Sequence, residues 1–544
     1  MILHESYPWA YAMAPEMTGQ KPTEETRWKH DTKEKQAERF KLAMRNGAFL
    51  RKNFPNVKIT LGNTLACTEL LAQLIRDGFP EEYADYMGLE VVGSTNLPER
   101  FTDAGIQSAD LLYETAKAFG YTKWKVNNCF ESNYHNEILL GADRTAAWYV
   151  RDLLLSHLWN FHDIFLGILA DCGNGYSCGL WGQTGLCRRN PYHYPHKAYV
   201  AVATATKLLD AVTGWRILPT GDPCVYAVEY ARRDGRFVTV FWTTRGEADA
   251  EIDVTGEFAC ADIYGRPFEP KEKRCFGNAF RRAKRYRLTV GESPCYLVSG
   301  PAAVTKVTLS AARRFPADAL PPAARVVAKG DGSETMALRP TPDPSLEKKT
   351  GLYLPYRTKG EFELRHVTDE TVGPCWEIEL TKPDLTLSPL IREYAVAEFA
   401  EPIPLGSHAH TLGLEVKGNS GWGHVYFILE DAKGRRCASC GNAGLTADCY
   451  DNDGRLSLSF SGWNSVSFPI DNESEIYDLS TGSVDHAWES GRIGTNGVWK
   501  AEFGSPKGPA KLVGVAFSVP NRPLFLNARQ PYRQVIRFKG VKAW

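Results

Sequence analysis

The stretch KVNNCFESNYH, residues 125–135, decides how this chain is read. A short run with strand character ends on a carboxylate, Glu131, and passes at once into a polar, aromatic loop. On both sides strand-like segments alternate with helix-like ones. Upstream lie an apolar stretch at 8–14 ending near Glu16, a charged helical segment at about 23–52, a strand at 57–61, a helix at 69–76, a strand at 88–93 and a helix around 108–119. Downstream come a long helix at about 138–158, an apolar run at 164–170 and a helix at 196–212. Strands separated by helices of this size imply parallel βα units, and five are visible. In such a unit reactive groups project from the carboxyl ends of the strands, so Glu16 and Glu131 are read together.

Beyond residue 213 the pattern changes to strand alternation broken by turn residues, as in Arg233-Asp234-Gly235, and 214–300 reads as an antiparallel β-domain. A Pro- and Ala-rich stretch at 316–327 marks 301–344 as a connecting segment. From 345 to 544 the text is again all β, with Gly- and Asn-rich turns, and suits a jelly-roll-like β-sandwich whose role is glycan binding or packing against the first domain. The expected fold class is therefore multidomain, α/β followed by all-β.

Composition narrows the partners. Sixty-four basic and sixty-four acidic residues cancel, so no net field recruits nucleic acid or an anionic membrane surface. No apolar run approaches the ~20 residues that span a bilayer. Thirteen cysteines, an odd number without scaffold spacing, favour a reduced compartment, while cytoplasmic and secreted locations both stay open. Cys437 and Cys440 have Cys-x-x-Cys spacing without a second pair, Asp451-Asn452-Asp453-Gly454 lacks the rest of a calcium loop, and His193 and His196 have no identifiable third ligand. No metal and no cofactor is assigned.

The segments WAYAMAPE (9–16), WKVNNCFE (124–131), the loop at 171–181, PHKAY (195–199) and ESPCYLV (292–298) together resemble a clan A retaining glycoside hydrolase. The resemblance implies a (β/α)8 barrel of which residues 1–213 supply strands four to eight, with the compact β-domain that many of these enzymes append. It implies Glu16, after the fourth strand, as acid/base and Glu131, after the seventh, as nucleophile, with two βα units between them. Pro15 stands where the family has an Asn that contacts the sugar. Trp181, Asn128, Asn133 and Tyr134 are the expected sugar contacts, whereas Trp159, in apolar surroundings, reads as a core aromatic. The first three βα units have no counterpart, so a preceding segment or a second chain is expected to complete the barrel. The expected function is retaining hydrolysis of β-linked glycosides in an oligo- or polysaccharide; the alternative is a noncatalytic carbohydrate-binding protein on a degenerate glycosidase scaffold.

Overall fold

The computed structural model describes, with short interruptions, residues 33–62, 71–89, 98–99, 112–128, 137–171, 185–189, 193–272, 283–310, 324–339, 360–383, 392–441, 458–470, 498–500, 508–520 and 534–544. Within them the molecule is mostly antiparallel sheet with few helices. None of the described helices is long and apolar enough to cross a membrane.

The first part carries helix α1 (Lys33–Asn53) and three short strands, β1 (Thr60–Leu61), β2 (Tyr86–Leu89) and β3 (Lys125–Asn128). They pair in parallel in chain order, with Thr60 opposite Tyr86 and Tyr86 opposite Lys125. Parallel neighbours need crossovers, and residues between these strands supply apolar side chains, among them Leu71, Ile75 and Leu112, to the core. Asp85 sets the entry to β2. Burial alone would raise its pKa, but the Ile59 amide at 2.9 Å, Arg51 at 3.0 Å and Lys58 at 3.1 Å hold it below the ordinary value. Trp124 fixes the entry to β3, its indole N–H lying 2.8 Å from the Glu81 carbonyl and 3.0 Å from that of Ala84.

The single helix expected over 138–158 is two, α2 (Glu137–Leu140) and α3 (Ala142–Leu158), parted by Gly141 at φ +79°. Such a conformation suits glycine, which lets the chain turn a corner there. After α3 the chain returns to β3, the His162 amide bonding the Val126 carbonyl at 2.8 Å and the Asp163 amide reaching Asn127 Oδ1 at 3.3 Å. Trp159 is buried in the core, as its apolar neighbours imply. Helix α4 (Lys197–Leu208) ends this part.

Ten strands follow: β4 (Val212–Ile217), β5 (Val225–Arg232), β6 (Phe237–Thr243), β7 (Ala248–Thr255), β8 (Phe258–Ala261), β9 (Pro267–Phe268), β10 (Lys271–Glu272), β11 (Ala283–Val290), β12 (Cys295–Ser299) and β13 (Val304–Leu309). They form a sheet in the order β4-β5-β6-β12-β8-β9 and another in the order β10-β11-β7-β13. Phe241, Leu297, Ile252 and Leu288 fill the space between them. The opposite face of the first sheet, with Tyr226, Val228, Tyr230, Val240, Trp242 and Tyr296, joins the core of the helical part.

The remaining strands are β14 (Arg325–Ala328), β15 (Met336–Leu338), β16 (Glu361–Asp369), β17 (Gly373–Lys382), β18 (Arg392–Pro404), β19 (Thr411–Asn419), β20 (His424–Glu430), β21 (Arg436–Gly441), β22 (Ser461–Pro469), β23 (Val498–Lys500), β24 (Lys511–Pro520) and β25 (Val535–Ala543). One sheet runs β16-β17-β25-β19-β22, with β14 also on β25; the other runs β15-β18-β24-β20-β21-β23. Both contribute to one apolar core, including Ile378, Leu414 and Phe538 from the first and Val515, Phe427 and Ala397 from the second. The connecting segment expected over 301–344 is instead structured at both ends. β13 pairs with β7, while β14 pairs with β25 and β15 with β18, so its alternating apolar residues close two different cores.

Candidate active site

Of the residues singled out in the sequence, Glu16, Glu131, Asn133, Tyr134 and Trp181 lie outside the described residues. So do residues 451–454. Asn128 is the last residue of β3, and its backbone pairs with Leu89 of β2. The neighbouring Asn127 is buried and accepts the Asp163 amide, which makes it a joint between β3 and the segment after α3.

Glu137, the first described residue after this strand end, lies against His196, which also meets Asp171. The His196 side chain is 2% exposed, with Nδ1 2.8 Å from Glu137 Oε2 and Nε2 3.0 Å from Asp171 Oδ2. Glu137 opens α2 six residues after Glu131; Asp171 follows the apolar run that ends at Ala170; His196 caps α4. The bonds to Asp171 and then Glu137 outweigh the cost of burial and lift the imidazole to about 9, so near neutral pH it is an imidazolium. The same His196 bond lowers the Glu137 pKa against its burial, and Arg188 and Lys197 act in the same direction.

Backbone bonds lock the surroundings. The Asp171 amide bonds the Cys187 carbonyl at 2.9 Å, the Cys187 amide bonds Leu169 at 2.8 Å, and the His196 amide bonds Leu186 at 2.9 Å. The Gly185 amide donates to Asp171 Oδ1 at 3.0 Å. A Cβ on Gly185 would run into the backbone of Ala170 and Asp171, so only glycine permits this approach. An imidazolium that donates both N–H groups keeps no lone pair for a metal and takes up no proton. Its chemistry is that of a buried cationic strut holding two carboxylates. His193, by contrast, is exposed and takes no part.

The sequence does not reveal this cluster, because His196 reads there as part of a helix start and, as a ligand, only beside His193. The signal available was a histidine at a helix start following Pro195, a place where a charged side chain ends up buried only if partners come from elsewhere in the chain.

No family model and no curated protein matches the chain. The solved structures similar to it include glycoside hydrolases, at low identity and over part of its length. A GH51 arabinofuranosidase from Xanthomonas axonopodis pv. citri has 10% identity over 50% of this chain and 64% of its own, with a TM-score of 0.30. A 4-O-α-L-rhamnosyl-β-D-glucuronidase from Fusarium oxysporum has 10% identity over 48% of this chain and 64% of its own, with a TM-score of 0.29. A family 11 carbohydrate-binding module from Clostridium thermocellum has 9% identity over 40% of this chain and 93% of its own, with a TM-score of 0.20. The chain thus spans a little under two thirds of the two enzymes, and at such scores the likeness does not speak to activity.

Proposed function

We propose that the chain acts in retaining hydrolysis of β-linked glycosides, with Glu131 as nucleophile and Glu16 as acid/base, on a (β/α)8-type scaffold of which residues 1–213 form part. The observation that carries this reading is the parallel, in-order pairing of β1, β2 and β3. In sequence Glu131 follows Asn128, the last described residue of the parallel strand β3, by three positions, and βα architectures carry their chemistry after the carboxyl ends of such strands. The buried cluster of His196, Glu137 and Asp171 supports it by anchoring Glu137, six residues after Glu131 in sequence.

In the proposed reaction a Glu131 carboxylate oxygen forms a bond to the anomeric carbon as the glycosidic C–O bond breaks, and Glu16 delivers its proton to the departing oxygen. Glu16, now a carboxylate, then takes a proton from water. That water attacks the anomeric carbon, the ester to Glu131 breaks, and the sugar leaves with its configuration retained. The two carboxyl groups need a separation of about 5 to 5.5 Å for this. Asn128, Asn133, Tyr134 and Trp181 are proposed to hold the sugar.

Incubation with an activated 2-fluoro glycoside, followed by peptide mass spectrometry, tests the assignment. The label is expected on Glu131, and Glu131→Gln should abolish both labelling and turnover while the chain stays folded. Label on a different carboxylate refutes the role given to Glu131.

A further inference from the structure

The sheet β16-β17-β25-β19-β22 has one face in a core and one face outward. Ile378 and Leu380 of β17, Leu412, Leu414 and Val416 of β19, and Ile536 and Phe538 of β25 point inward. Alternation therefore turns Glu377, Lys417 and Arg537 outward. The pairing registers bring the outward residues into one line: Arg365 opposite Glu377, Glu377 opposite Arg537, Arg537 opposite Lys417, and Lys417 opposite Trp463. This row crosses five strands at right angles, a span of roughly 19 Å at the usual strand spacing.

Each member is held by its neighbours. Arg365 reaches Glu377 at 2.6 Å and Glu379 at 2.5 Å, and Arg537 reaches Glu377 at 2.8 Å. Asp369, only 1% exposed, receives Arg537 and Lys417 at 2.7 Å each, the Trp463 indole N–H at 3.0 Å and the Thr371 amide at 2.9 Å. Burial would raise the Asp369 pKa; the donors from Lys417, Thr371, Arg537 and Trp463 overcome it and keep the group ionised. Arg365, Arg537 and Lys417 nonetheless keep 30–36% of their side chains exposed, so the row faces outward with its polar atoms in fixed positions.

We propose that this row is a binding site for an extended, uncharged oligosaccharide chain lying across the strands, with Trp463 as its stacking surface. Three observations select that occupant. The charges on the row neutralise one another, so an ionic ligand would have to break pairs already made, whereas hydroxyl groups can add to them. Trp463 is half-buried on this face, and an indole held through its N–H to Asp369 suits the apolar face of a sugar. The spacing from strand to strand is close to the repeat of a pyranose in an extended β-linked chain. A network fixed in advance loses little freedom on binding. The proposal uses neither Glu131 nor Glu16 and stands whether or not they perform hydrolysis.

The test uses the full chain carrying Glu131→Gln, so that no hydrolysis intervenes, in native gels containing barley β-glucan, xyloglucan, arabinoxylan, galactomannan or, as the charged control, polygalacturonate. Retardation by at least one of the neutral polymers is expected, with Trp463→Ala weakening it by about tenfold or more and Trp463→Phe by less. Hydroxyl-radical footprinting of the chain with Trp463 intact should show that residue protected by the same polymer, which keeps the test decisive if Trp463→Ala does not fold. No retardation by any neutral polymer, retardation by polygalacturonate alone, retardation indifferent to Trp463→Ala, or no protection of Trp463 each overturns the proposal.

Discussion

Neutralising His196 should remove the alkaline limb of the chain's stability profile. Its pKa rises from 6.5 to about 9 in the folded state, which corresponds to about 3 kcal/mol of differential stabilisation. Because the folded value is the higher one, this contribution is complete below about pH 6.5 and is lost as pH climbs through about 9. Glu137 works in the other sense: its depressed pKa adds stability above its ordinary 4.5 that is lost as pH falls. The groups around the imidazole are Glu137 from α2, Asp171 beside Cys187, and Arg188 and Lys197 near Glu137, so charge enters from every side. His196→Gln should therefore lower stability by roughly 2 to 3 kcal/mol near pH 6.5 and by under about 1 kcal/mol near pH 9.5. Thermal unfolding between pH 6 and 10 measures this. An NMR titration of labelled imidazoles, in which the variant identifies the His196 signal among twelve histidines, measures the pKa directly. An imidazole titrating near 6.5, or an alkaline slope equal in both proteins, refutes the ion-cluster account.

Two further outcomes are expected. Glu16→Ala should slow glycosides with poor leaving groups far more than activated aryl glycosides, and azide should partly restore the rate; equal losses without an azide response would remove Glu16 from the acid/base role. Arg151→Met should lower stability by about 3 to 5 kcal/mol, since it strands the buried Glu99 carboxylate, and Glu99→Gln in the same chain should recover part of that loss in thermal unfolding.

Local patterns were legible in the sequence; partnerships were not. The run with strand character that opens at Lys125 holds β3 at 125–128, and the strand expected from 88 already begins at 86 as β2, because short apolar runs mark a strand better than its ends. Gly141 could not be foreseen as the break between α2 and α3, since a glycine within a helical pattern is compatible with continuation. Residues 301–344 read as a connection because the Pro- and Ala-rich middle dominates them, while β13 and β14 are short strands that make sense only beside β7 and β25. The cluster at His196 and the row at Trp463 depend on long-range register. β25, near the end of the chain, lies between β17 and β19, and only that insertion brings Arg537 between Glu377 and Lys417.

The β-domain also bears on the proposed site. Arg151 of α3 donates to the Glu99 carboxylate and to the Thr244 carbonyl at 3.1 Å, and the indole N–H of Trp242 donates to the same carboxylate at 2.9 Å. Trp242 stacks on Tyr226 at 4.5 Å, so a helix and two strands of the β-domain meet around one buried ion pair. At the first turn of α3, Asp143 accepts Lys197 of α4 and the Tyr264 hydroxyl, both at 2.7 Å. The helix that follows Glu137 is thus gripped at its start from α4 and the β-domain and along its length by the shared core. Gly141 lets α2 leave that fixed helix at an angle, and His196 pins the first residue of α2. The placement of Glu137 is consequently set by elements as distant in sequence as β6, the kind of outside bracing that the nucleophile role proposed for Glu131 would require.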